Sequence, residues 1–587
     1  MRATSLVCTL GPASNDESTI RALADAGMAV ARINTSHGNP QQYRETIENV
    51  RAVESRLNRP LSIIFDLQGP EIRTATTEES VELTAGDTLD LSAGTAFSVD
   101  EIGLSRPIVD GEAGASVFFD DGRIEGVVES LTADGDELTT TVRITSGGTL
   151  GSRKSLVAPA LSFAGSVVTE RDETALDVGL DAGVDYVAAS FVKDAADVMA
   201  VAEAIETRGA DTPIVAKIER QEAVDSIEGI LDVTAAVMVA RGDLGVECPI
   251  ESVPMIQKRL VRQCRQAGIP VIIATEMLDS MISASRPTRA EASDVANAVL
   301  DGADAVMLSG ETAVGDHPVQ VVETMDQIVR SAEREVKGEQ HVPKANGTST
   351  DALARSARYL ARDAGARAIV VASESGYTAR KTAKYRPDVP VIASAPDADV
   401  RRQLLLYRGI IPRATEYTTG GAQTIIEGAV ETALNTPVVE SGDTVVVLSG
   451  MMTDLPGTDA TNLLKLHVAS EVLTTGQCVV AGTVINTVER ITDGDLSSIE
   501  AGSIVATPES FDGQFTGDLS KIGGIIAEQR GMTGYPAIVA RELGVPMISG
   551  AAIESLEDQI TLDAERGVVY RGEITGYNTD QPDESRP

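Results

Sequence analysis

The sequence predicts an α/β chain whose first 335 residues build a (β/α)8 (TIM) barrel with a small β domain inserted at its rim. Three observations predict this fold. Eight strand-like runs precede residue 310, most of them continuously apolar, as expected of strands covered on both faces. Amphipathic helical stretches separate them, for example 17–26, 43–57, 195–207 and 255–267, and eight alternating β and α units close into a barrel. One connection, residues 70–153, has a different pattern: 81–93, 116–131 and 137–148 alternate apolar and polar residues and carry turn signals. An open doubly wound sheet is the alternative architecture. No dinucleotide-type glycine fingerprint follows the first strand, which weighs against that sheet's nucleotide-binding form.

In order, the strand-like runs are Ser5–Leu10, Ala29–Asn34, Leu61–Leu67, Tyr186–Phe191, Ile214–Glu219, Ala236–Ala240, Pro270–Thr275 and Asp304–Ser309. The domain plan is barrel 1–69, inserted β lid 70–153, barrel 154–335 and a polar linker 336–350. Beyond it come an α/β domain 351–472, a further β/α domain 475–576 and an acidic, Pro-containing tail 577–587. A chain of 587 residues is too long for one core, so several domains are required.

The net charge is −39, aromatic residues are 3% and Trp is absent. Such a surface repels nucleic acid and anionic membranes, which excludes them as partners. Acids spread through periodic segments resemble salt-adapted (halophilic) proteins, whose unfolding midpoint rises from low to multimolar KCl. Cys8, Cys248, Cys264 and Cys478 show no CxxC or CxxH spacing, which fits a reducing cytoplasm. No apolar run reaches the length of a membrane span, and the N-terminus reads as a strand and turn rather than a signal peptide.

Chemistry concentrates at 214–245. A strand ending Lys217-Ile218-Glu219 puts Lys217 and Glu219 on one face. A helical stretch, Glu222–Leu231, leads to a second strand ending Arg241-Gly242-Asp243. A βαβ unit sets the two strands parallel, so Glu219 and Asp243 meet at one rim with Lys217 beside them. Two carboxylates and a lysine there suit a divalent metal and bound phosphate, whereas the plain alternative is a surface salt bridge. Other predicted strand ends carry Arg32, Asn34, Ser36, Asp66 and Thr275, with Arg73 just beyond. Active sites of this fold are assembled from such C-terminal strand ends.

The stretches ARINTSHG, DLQGPEIR, GGTLGSRKSL, SFVKDAADV, VAKIE, VARGDLGVE, ATEMLDSM and PTRAEASDVANAVLDGADAVMLSGETAVGDHP resemble the pyruvate kinase family, over residues 1 to about 470. The resemblance implies phosphoryl transfer from phosphoenolpyruvate to ADP, giving pyruvate and ATP. It implies that Glu219 and Asp243 ligate Mg2+ or Mn2+, that Lys217 stabilises the phosphoryl group in flight, and that Arg32 holds that group. Thr275 would serve protonation of the enolate, and the N–H groups of Gly242 and Asp243 would receive the substrate carboxylate. Arg73, Lys154, Asn34 and His37 would contact the nucleotide. Asn34, Ser36, Asp66 and the Leu67 carbonyl would surround K+. It further implies a homotetramer, and an effector loop at Ser373, Ser375, Gly376, Thr378 and Arg380, for which helix capping is the structural alternative.

Departures from the family pattern bear on K+. Leu67-Gln68 stands where many members have Thr-Lys, a pair that goes with potassium dependence. Glu71 stands where potassium-independent members place Lys, and the two signals disagree. Residues 475–576 resemble the swivelling phosphohistidine domain of phosphoenolpyruvate-using enzymes, but Tyr535 occupies the histidine position. Two other readings compete: a phosphoenolpyruvate synthase-like phosphotransferase, which needs that histidine, and a non-catalytic metabolite-binding regulator.

Overall fold

The computed structural model describes residues 2–120, 122–134, 137–335, 343, 347–416, 422–450 and 461–574. All eight expected strands form: β1 (Ser5–Leu10), β2 (Val30–Asn34), β3 (Ser62–Asp66), β4 (Tyr186–Ala189), β5 (Ile214–Ile218), β6 (Ala236–Ala240), β7 (Val271–Ala274) and β8 (Ala305–Leu308). They close into a parallel barrel in sequence order, with β1 beside β8. The continuous apolar runs are explained by two cores. Val7, Val30, Ile64, Tyr186, Val215, Met238, Ile272 and Met307 share one buried cluster, while Leu6, Ile33, Phe65, Val187, Val237 and Ile273 pack with the helices in another.

Several strands end a residue or two earlier than their apolar runs. Ser190, Glu219 and Thr275 therefore lie just past the ladder. Phe191, Thr275 and Glu276 have left-handed backbones with φ of 57°, 67° and 52°. The expected helix Glu222–Leu231 is two short helices, Gln221–Asp225 and Ile227–Val233. Ser226 breaks it, in keeping with the preference of serine for helix boundaries. Arg241-Gly242-Asp243 does not extend β6 but opens a short helix, Arg241–Glu247.

The insert forms a sheet over its own core, including Leu89, Val117, Phe119, Val142 and Ile144. It is antiparallel as expected, apart from the parallel pairing of Thr88–Ala93 with Glu101–Leu104. It also reaches further along the chain than the expected return at 153. Leu156–Val157 pairs with Ser116–Phe119, and Leu161–Phe163 pairs with Ile108–Gly111. Strands of two and three residues are too short to show an alternation in sequence.

The described residues divide into two compact units. One comprises the barrel and insert with residues 374–386 and 397–413; the other comprises 349–373, 387–396 and the chain from 414 onward. Residues 351–472 are thus divided between the two units. The reason is packing: Leu406 is part of the inner barrel cluster, the Tyr186 hydroxyl donates to the Gln403 carbonyl (2.9 Å), and Arg402 pairs with Glu54 (2.8 Å). The second unit contains parallel strands Ala368–Ala372, Val391–Ala395 and Thr444–Gly450 with an antiparallel edge, Thr461–Val468. It also contains an eight-stranded sheet from Val472 to Arg571. Most of the expected linker and all of the tail 577–587 lie outside the described residues.

Candidate active site

Lys217 and Glu219 share a face of the chain as the period of two requires, with Nζ and Oε1 2.9 Å apart. Lys217 Nζ also reaches Asp66 Oδ1 at 3.3 Å and donates to Ser190 Oγ at 2.7 Å. Arg32, from β2, donates from Nε to Asp66 Oδ2 (2.7 Å) and from Nη1 to the Thr9 hydroxyl (3.0 Å). Glu219 Oε2 accepts the Phe191 N–H at 2.7 Å. The strand ends of β1 to β5 thus bring together two cations and two carboxylates, all buried. Such charges persist only when paired and hydrogen-bonded.

Burial disfavours the charged form of Lys217, but the Asp66 and Glu219 carboxylates reverse that effect and hold its ammonium above the ordinary lysine range. Burial would likewise push the Asp66 carboxyl up, but Lys217 and Arg32 hold it below the usual carboxylate range. Both groups are therefore charged at neutral pH. Asp243, in the first turn of the helix Arg241–Glu247, also favours the charged form of Lys217.

Thr275 stands against the start of that helix. Its hydroxyl accepts the Gly242 N–H at 2.7 Å and donates to the Ala274 carbonyl at 2.7 Å. Asn34 pairs in register with Asp66. Its side-chain oxygen accepts the Ser36 N–H at 3.0 Å, and the Leu67 carbonyl accepts the Ser190 hydroxyl at 2.7 Å. Asn34, Ser36, Asp66 and Leu67 thus occupy adjoining ends of β2 and β3.

Arg73 is at the root of the insert rather than at a strand end. It pairs with Glu71 (2.8 Å) and donates to the Arg153 carbonyl (2.8 Å). Lys154 pairs with Asp120 at 2.8 Å. His37 is exposed, and its carbonyl accepts the Tyr43 hydroxyl at 2.9 Å. In the 373–380 loop, the Ser373 N–H donates to the Ser394 carbonyl (3.1 Å) and the Tyr377 N–H to Ser375 Oγ (3.4 Å). Gly376 caps the helix Tyr377–Lys384 with φ of 74°, the Arg380 N–H donates to the Gly376 carbonyl at 3.0 Å, and the Thr378 carbonyl accepts the Thr382 hydroxyl at 2.8 Å.

Thr9 joins the site from β1, and Ser190 and the Phe191 N–H from the start of the stretch SFVKDAADV. Sequence signals a role for Ser190 only through that stretch, and for Thr9 only as a lone hydroxyl in an apolar run, which is ordinarily structural.

Glu219 and Asp243 are hard oxygen donors, and Mg2+ is commonly held by one or two carboxylates together with substrate phosphates. Among the described residues no group of three or more His, Cys, Asp or Glu could cage a metal. The two carboxylates fit an ion whose other ligands are substrate and water.

Residues 1–322 match the family described as pyruvate kinase, barrel domain; residues 351–467 match pyruvate kinase, alpha/beta domain; and residues 499–567 match PEP-utilising enzyme, mobile domain. The chain is 38% identical to a pyruvate kinase of Bacillus licheniformis and 39% to one of Geobacillus stearothermophilus. Each comparison covers 97% of this chain and 99% of the relative, so the relatives share the segment beyond residue 470. A crystal structure of a pyruvate kinase from Cryptosporidium parvum superposes with a TM-score of 0.72 at 32% identity, covering 80% of this chain and 96% of that one. With these matches and the strand-end constellation together, the chain belongs to the pyruvate kinase family.

Proposed function

We propose that the barrel mouth moves the phosphoryl group of phosphoenolpyruvate to ADP, with the residues in the following roles. The observation that carries this reading is Lys217, held charged between Asp66 and Glu219 at the strand ends. In the reaction the bond between phosphorus and the enolate oxygen breaks, an ADP β-phosphate oxygen bonds to phosphorus, and the enolate carbon takes a proton. Catalysis of such a transfer is mainly positioning and charge stabilisation. Lys217 and Arg32 face the phosphoryl group, the N–H groups of Gly242 and Asp243 receive the substrate carboxylate, the former exchanging the Thr275 hydroxyl for it, and Thr275 relays the proton. Glu219 and Asp243 hold Mg2+ or Mn2+, which when bound neutralises phosphate charge. Arg73, Lys154, Asn34 and His37 serve the nucleotide; the first two must exchange their carboxylate partners, Glu71 and Asp120, for its phosphates. A lactate dehydrogenase-coupled assay with phosphoenolpyruvate, ADP and Mg2+ in concentrated KCl tests the reading, and absence of turnover would sink it.

Asn34, Ser36, Asp66 and the Leu67 carbonyl supply oxygen donors for K+. Turnover is expected to be higher in KCl than in a potassium-free salt of matched ionic strength; equal turnover overturns the assignment. A homotetramer, with effector phosphate binding at Ser373, Ser375, Gly376, Thr378 and Arg380, completes the reading; light scattering checks the first point and the response of turnover to added phosphate compounds in the parent and in Arg380→Ala the second. The free thiols of Cys8, Cys248, Cys264 and Cys478 suit a cytoplasmic setting.

The mobile-domain segment takes no part in the transfer. Its helix Tyr535–Leu543 starts with Tyr535, whose ring lies 5.7 Å from Phe515, itself stacked on Phe511 at 5.3 Å. A phenol with a pKa of about 10 is a poor nucleophile at neutral pH beside an imidazole. A chain truncated near residue 475 is expected to keep phosphoryl transfer while its thermal stability or effector response changes. Near-stoichiometric label on residues 475–576 after incubation with labelled phosphoenolpyruvate would overturn this.

A further inference from the structure

We propose that Arg241 is a positioning residue that holds Thr275 in the backbone conformation its hydroxyl requires; the inference rests on the proton-relay role given to Thr275 above. Thr275 and Glu276 are consecutive non-glycine residues with φ of 67° and 52°. A left-handed backbone is costly for any L-residue and most unusual for a β-branched one, and it persists only where neighbours over-determine it. The Arg241 guanidinium does so. Its Nε–H donates to the Ala274 carbonyl at 3.2 Å and its Nη2 to the Thr275 carbonyl at 2.9 Å, so one planar group fixes the peptide units on both sides of Thr275.

Arg241 is itself anchored from behind. Nη1 pairs with Asp294 at 2.6 Å and donates to Gln257 Oε1 at 3.3 Å, and Gln257 is held by Asp301 at 3.0 Å. The residue after Arg241 is Gly242, whose N–H meets the Thr275 hydroxyl at 2.7 Å. A single dipeptide therefore grips the turn twice, by side chain at its carbonyls and by backbone at its hydroxyl. A lysine offers a point charge rather than a rigid fork and cannot reproduce the first grip.

The test is a double-mutant cycle on the full chain. Arg241→Gln is expected to lower kcat on the order of a hundredfold, the scale for a misplaced reacting group, with KM for phosphoenolpyruvate and for ADP within about twofold of the parent. Thr275→Val lowers kcat as well. Because Arg241 acts through Thr275, the double variant should be no slower than Thr275→Val alone. Multiplied losses overturn the role of Arg241 but leave that of Thr275 standing. Full turnover in Thr275→Val sinks the role of Thr275 and this inference with it. If Arg241→Gln shows no cooperative unfolding transition, Asp294→Asn, which removes only the guanidinium's carboxylate partner, takes its place in the cycle. It should lower kcat by a smaller factor, again without adding to Thr275→Val; unchanged kcat or multiplied losses overturn the proposal.

Discussion

Lys217→Met should retain phosphoenolpyruvate binding and lose nearly all turnover. In the proposed arrangement Arg32 and a bound divalent ion would still neutralise the substrate phosphate, so the Michaelis constant should move little. The ammonium matters most when charge shifts from the enolate oxygen through the phosphoryl group, and an interaction stronger in the transition state acts on kcat. Loss of one such preorganised group costs about 10²–10³-fold in related electrostatic sites, so a fall of at least that size is expected. The substitution also breaks a buried charge set. Asp66 would keep Arg32 and Glu219 only the Phe191 N–H, and removing one partner of a buried pair costs about 3–5 kcal/mol. The pH dependence fixes the sign. In the parent, Asp66 has a folded pKa below its unfolded value, so its contribution to stability is present above the unfolded pKa and fades as pH falls. Without Lys217 its folded pKa rises, so the variant gains less from ionisation of Asp66 as pH rises. The stability gap between parent and variant should therefore be widest at neutral pH and narrow as pH falls below about 4, the unfolded carboxyl value. Steady-state kinetics and denaturant melts across that range check both halves. Turnover that survives with only a raised Michaelis constant would make Lys217 a ground-state binder.

Asp243→Asn should show the complementary pattern, with impaired metal response in a fold left intact. The amide keeps the size of the side chain and removes a full negative charge that would neutralise a divalent ion. A fall in kcat of at least about a hundredfold is expected, with the Mg2+ activation curve displaced to higher concentration. Stability should fall less than in Lys217→Met. Asp243 lies in the first turn of the helix Arg241–Glu247, where an acid is worth only about 0.3–1 kcal/mol through the helix dipole. Melting temperature thus separates the two variants even where both are nearly inactive. Superimposable metal titrations of Asp243→Asn and the parent would show that Asp243 is not a ligand.

Much of the barrel was legible because burial on both faces writes itself as continuous apolar runs, and all eight were found within a residue or two. The pairing of Lys217 with Glu219 was legible for a simpler reason: strand periodicity alone puts them on one face. What sequence could not show is how the charges are shared. That Asp66 lies between Arg32 and Lys217, or that Ser190 bridges Lys217 to the Leu67 carbonyl, depends on contacts across β2 to β5 that no local pattern encodes. The turn at Thr275 was hidden because a left-handed threonine runs against its own propensity and is imposed from outside. The placement of residues 397–413 with the barrel was hidden likewise, since a β/α rhythm gives no sign of which partner a short helix will choose.

That last placement bears on how the chain emerges from the ribosome. Leu406 belongs to the cluster inside the barrel, and the N-terminal residues are tied to the same late segment. The Ser5 hydroxyl donates to the Leu405 carbonyl, the Gly409 N–H to the Ala3 carbonyl, and Arg408 to the Thr4 hydroxyl. The first strand made is thus completed by residues translated some four hundred positions later. Synthesis proceeds at about 5–20 residues per second, so the floor of the barrel waits tens of seconds for its last piece. During that interval the nascent barrel presents uncovered apolar side chains at its N-terminal end, which makes it a natural client for a chaperone that binds chains still being made.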